Sequence, residues 1–151
     1  MISVEWVKLM LVLVILGRAV YTDVKQGVIE NRNVMFGLLS GLICAFTGNG
    51  MEGVWQSVKM AGVMLVVLFI LFVVKGLGAG DIKLFCVLAV FYPMYCMEVV
   101  IVSFLVAAVA SIGKMVIRLI RKNSFYIRGE TINFSIPIAC GTLFVLWRGM
   151  I

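Results

Sequence analysis

The chain has 151 residues, 64% of them hydrophobic and only 13% charged, with a formal net charge of +6. Its mean hydropathy is +1.17. This balance excludes a water-soluble domain of this size, which needs far more polar surface; at roughly 20 apolar residues per bilayer crossing, there is room for about six crossings and short connections.

The first apolar run, Val4 to Tyr21, carries Arg18 near its end, and no small-residue cleavage site follows. It therefore reads as a permanent helix and not as a signal peptide. Further runs follow at about Val34–Phe46, Val54–Val74, Ile82–Met97, Val99–Ile120 and Phe134–Trp147. Between them stand Thr47-Gly48-Asn49-Gly50, the glycine-rich stretch Gly76 to Gly80, Tyr92-Pro93 and the polar segment Arg121 to Thr131, all of them turn or loop signals. The expected fold class is an all-α polytopic membrane protein, a single domain over residues 1–151, with about six transmembrane helices and five as the alternative count. Asn33 and Asn133 each precede an apolar run and read as helix N-caps.

Orientation follows from the basic residues. Arg18, Lys25 and Arg32 flank the first connection, Lys75 and Lys83 the third, and Lys114, Arg118, Arg121, Lys122 and Arg128 the fifth. Basic residues collect on the cytoplasmic side of membrane proteins, so the odd-numbered connections are expected there, with both termini outside. The positive charge is thus assigned to topology in a cell-membrane protein, with the lipid bilayer as partner and no nucleic acid. Trp6, Trp55 and Trp147 fall near the opposite ends of their runs, where interfacial tryptophans are expected. The four cysteines, Cys44, Cys86, Cys96 and Cys140, lie in or beside apolar runs and form no CxxC pair, and histidine is absent. No metal site is expected from that set.

Asp23 and Asp81 are the two aspartates of the chain. Asp23 ends the first apolar run and Asp81 begins the fourth, which by the topology above puts both at the cytoplasmic membrane face. Ionisable groups at membrane depth are costly and usually mark function. Asp81 closes Gly76-Leu77-Gly78-Ala79-Gly80-Asp81, where glycines permit a tight helix entry or close approach of another backbone. Two carboxylates at short range can share one proton, so that one serves as base while the other, protonated, donates a hydrogen bond.

Gly78-Ala79-Gly80-Asp81-Ile82-Lys83 resembles the GxGD-x-K motif of type IV prepilin peptidases and the related archaeal preflagellin peptidases. Tyr21-Thr22-Asp23, with Gly27-Val28-Ile29-Glu30-Asn31-Arg32 after it, is similar to the family's first-aspartate segment, although Glu30 stands where proline is usual. Ile136-Pro137-Ile138-Ala139 resembles a proline-containing segment near the family's last helix. The resemblance implies GxGD aspartyl protease architecture, with Asp23 and Asp81 as catalytic residues and Gly78, Gly80 and Lys83 supporting the motif. It implies an endopeptidase that needs no metal or organic cofactor and cleaves the leader of a prepilin-like or pseudopilin substrate. The CxxC-bearing methyltransferase domain of larger members is not expected here. Two rivals are a presenilin-type GxGD enzyme and, further away, a small transporter or scaffold using the two aspartates for protons or cations.

Overall fold

The computed structural model describes residues 4–120 and 134–150, and all regular structure among them is helical. The helices are α1 (Val4–Gln26), α2 (Asn31–Val73), α3 (Ala79–Phe91), α4 (Cys96–Ile120) and α5 (Ser135–Met150). By length and composition α2 and α4 can each cross a membrane. α1 is nearly as long as α4, but Glu5, Lys8, Arg18, Asp23 and Lys25 lie along it.

α2 is not a straight rod. Asn49 (φ −129, ψ 18) and Gly50 (φ 61, ψ −147) leave helical geometry in its middle. A Cβ built on Gly53 would lie 2.6 Å from the Ala45 carbonyl oxygen, whereas eight residues of straight helix would separate the two by about 12 Å. The two arms, 31–48 and 51–73, therefore fold back on each other, and they match the second and third apolar runs. Gly50 makes the reversal possible, because its φ lies where residues bearing a Cβ are strained.

α3 lies against both arms. Gly37 and Gly41 of the first arm face Val87 and Val90. In the second arm, Ser57 Oγ donates to the Val90 carbonyl at 2.9 Å, and Cys86 Sγ donates to the Ala61 carbonyl at 3.7 Å. Small residues let helices approach closely where lipid supplies no hydrophobic drive, and helix-to-helix polar bonds add to that packing. Every residue from Leu84 to Phe91 is buried, as expected of a helix that is apolar all round. The fourth apolar run divides at Tyr92 (φ −134, ψ 69), because the residue before Pro93 is pushed out of helical geometry.

α1 and α2 are joined by Asn33, whose Nδ2 donates to the Ile15 carbonyl at 2.9 Å. This corrects the expectation of an N-cap: α2 begins at Asn31 after Glu30, and the buried Asn33 lies inside the helix. Asn133 lies outside the described residues. α4 and α5 run antiparallel, with Glu98 against Arg148 at one end, Ser103 against Gly141, and Phe104 against Phe134 at the other. The outward faces carry exposed Met10, Val14, Leu39, Ile43, Val66, Ile70, Leu105 and Val109. An apolar surface this extensive suits contact with lipid, and the chain is a helical integral-membrane protein.

Candidate active site

The first and second motif segments meet at one end of the bundle. Asp23 lies in the last turn of α1, which closes with the Gly27 N–H donating to the Asp23 carbonyl at 2.8 Å. The chain then reaches Ile29, which is buried and packs on Gly80, where an added Cβ would sit 3.4 Å away. Asn31, the first residue of α2, accepts a 2.9 Å hydrogen bond from Lys83 Nζ. Lys83 is thus a tether between the start of α2 and α3. Glu30 keeps an extended backbone (φ −62, ψ 129), a φ that proline would also adopt, and faces Arg18 at 3.5 Å. That exposed pair contributes little to stability.

On the other side of the site, α2 ends in a tight reversal. Lys75 N–H donates to the Phe72 carbonyl and Gly76 N–H to the Leu71 carbonyl, both at 2.9 Å. These are the two bonds of a Schellman cap, with Lys75 in the left-handed position (φ 59). The extended Gly78 then caps α3. Asp81, in the first turn, turns its carboxyl back towards the backbone of Gly78 at the helix cap. The reason for glycine at 78 is steric, since a Cβ there would lie 2.9 Å from Asp81 Oδ2.

The two carboxyls are close enough for the charge of Asp23 to act on Asp81. α5 supplies a third group. The Ser135 hydroxyl donates to Asp23 Oδ2 at 2.5 Å, and Ser135 is fully buried. So Asp23, Gly78, Gly80, Asp81 and Lys83 converge, with Lys83 bonded to Asn31 and not to an aspartate. Ser135 is the residue of this cluster that sequence reasoning missed. The available signal was its place before Ile136-Pro137, the segment already singled out.

Two surface cavities open at the opposite end of the bundle. They are lined by Glu5, Trp6 and Lys8 of α1, by Gly48 and Asn49 at the α2 reversal, and by Tyr92 to Tyr95. Neither is lined by an aspartate; Asp23 and Asp81 lie at the other pole.

The profile of the type IV leader peptidase family matches residues 10–112, a span that includes both aspartates and the glycine-rich entry to α3. Comparison with curated proteins and with solved structures gives no significant match. The matched span covers most of the chain, and the chain belongs to the type IV leader peptidase family.

Proposed function

We propose that the chain is an intramembrane aspartic endopeptidase that removes the leader peptide of type IV prepilin-like or pseudopilin substrates at the cytoplasmic face of the cell membrane. The observation that carries this reading is the convergence of Asp23 and Asp81 from α1 and α3 onto one end of the bundle, within electrostatic reach of each other.

The chemistry follows from two carboxyls that share one proton. The ionised carboxyl takes a proton from water as the water oxygen attacks the scissile carbonyl carbon. The protonated carboxyl hydrogen-bonds the carbonyl oxygen and passes its proton to it. The resulting gem-diol collapses as the carboxyl that took the water proton gives it to the leaving nitrogen and a diol hydroxyl gives its proton to the other carboxylate, which breaks the C–N bond, leaves the carbonyl of the product acid and restores the pair. The mechanism requires only that one proton be held between the two carboxyls, whichever of them carries it at rest.

The topology supports cytoplasmic placement. Arg18, Lys25, Arg32, Lys75, Lys83 and Lys114 stand at or towards the aspartate end of their helices. At the other pole Lys8 and Arg148 are paired with Glu5 and Glu98. Excess basic charge at the aspartate end supports a cytoplasmic placement for it, and on this reading α1, α3, α4, α5 and the two arms of α2 are six crossings with the termini outside. α3, at 13 residues, is only about 20 Å long. Against a hydrocarbon core of about 30 Å, it leaves Asp81 recessed, where surrounding protein must satisfy the non-helical backbone before it.

The test is cleavage of a panel of prepilin-like leader peptides by the purified protein in detergent, with product termini identified by mass spectrometry. Cleavage between leader and hydrophobic helix, lost in Asp23→Asn and lost separately in Asp81→Asn, is the expected result. Either variant cleaving at the wild-type rate contradicts the aspartyl mechanism. Ion flux through reconstituted liposomes without any peptide cleavage would favour the transporter.

A further inference from the structure

Ser135 comes from a helix 112 residues away in sequence, is fully buried, and makes a 2.5 Å bond to the Asp23 carboxyl. We propose that Ser135 is a positioning residue of the aspartyl pair, its hydroxyl holding Asp23 Oδ2 so that the other oxygen of that carboxyl is presented to water and to Asp81. The inference rests on the aspartic peptidase reading above.

The local sequence frees the hydroxyl for this task. The first intrahelical bond of α5 runs from the Ile138 N–H to the Phe134 carbonyl at 3.1 Å, which makes Ser135 the first residue within the helix. A serine at a helix start ordinarily turns its oxygen to a free N–H two or three residues on. Two residues on stands Pro137, which has no N–H, and three residues on stands Ile138, whose N–H is already bonded. Proline costs the helix nothing in its first turn, where its N–H would lack a partner.

The base from which Ser135 reaches Asp23 is firm. The Phe134 ring packs 5.1 Å from that of Phe104, and Ile138 is fully buried. Gly141 lies so close to α4 that a Cβ would sit 2.9 Å from the Ser103 backbone nitrogen. The choice of a hydroxyl also matters. A backbone N–H can only donate, whereas a serine hydroxyl can donate or accept. Ser135 therefore keeps its bond to Oδ2 as the shared proton moves between the two carboxyls.

The experiment uses the full chain in detergent with a cleavable prepilin-like peptide, comparing Ser135→Ala, Ser135→Thr, Asp23→Asn and a control, Ser40→Ala, whose hydroxyl bonds only within α2. Ser135→Ala is expected to lower kcat about 10- to 100-fold while KM stays within about twofold. Its Tm should match wild type, and its pH–rate profile should be displaced by roughly half a unit or more. Ser135→Thr should restore kcat to within about threefold of wild type, and Ser40→Ala should be silent. An unchanged kcat and pH profile in Ser135→Ala overturns the proposal, as does a loss that tracks a fallen Tm and is not restored by Thr. If the Ala variant does not fold, Thr decides: near-wild-type kcat supports the proposal, and loss at wild-type Tm overturns it. A fully active Asp23→Asn sinks the aspartic reading itself, whereas an inactive Asp23→Asn beside an unaffected Ser135→Ala removes only the role of Ser135.

Discussion

Gly78 shows how a single missing side chain can set the geometry of the site. The Asp81 carboxyl occupies the space that a Cβ on residue 78 would need, 2.9 Å from Oδ2. In Gly78→Ala the carboxylate has to move, and it is the flexible partner. Because a misplacement of about 1 Å can cost roughly 100-fold in rate, kcat is expected to fall about 10- to 100-fold with Tm nearly unchanged. Peptide cleavage beside a thermal melt checks both halves, and a fully active Gly78→Ala would show that the close approach of Asp81 to residue 78 does not matter. The aspartates themselves were legible in the sequence because the chain has two and one ends a glycine-rich entry. Ser135 and Asn33 were not. Each bonds to a partner on another helix, and the polar residue before an apolar run gives the same local pattern whether it caps its helix or reaches across the bundle.

At the scale of elements, the reversal in α2 allows one sequence-continuous helix to serve as two arms around α3. Gly50, at φ 61 and ψ −147, occupies a region essentially reserved for glycine. Gly50→Ala should therefore destabilise the fold by about 1–3 kcal/mol, measured by thermal or denaturant unfolding in detergent. A Tm equal to wild type would mean that the reversal relaxes freely. Here Thr47-Gly48-Asn49-Gly50 read correctly as a break, because glycine and asparagine suit left-handed and extended turns. The division at Tyr92 was marked by proline. What pattern alone left open was the order of packing, since apolar runs facing lipid and apolar runs facing protein look alike in sequence. α3 becomes the central helix through the small residues opposite it, Gly37, Gly41, Ser57 and Ala61.

Across the whole molecule, the aspartates and most of the basic charge lie towards one end of the bundle axis. The N-terminal turns of α3 and α5 meet the C-terminal turn of α1 at one pole. The other pole holds exposed Trp6, Trp55 and Trp147 near the helix ends and the α2 reversal, together with balanced ion pairs. In the proposed mechanism the two aspartates, drawn from opposite halves of the matched region, act as one unit. Groups that act as a unit are non-additive, since removing one removes the work of both. The decisive measurement is therefore kcat/KM for leader-peptide cleavage by wild type, Asp23→Asn, Asp81→Asn and the double variant, all at equal Tm. If the pair is one catalytic unit, each single variant loses activity to the same floor and the double variant is no worse. Losses that multiply in the double variant, or one aspartate whose replacement leaves the rate intact, would contradict a shared-proton dyad.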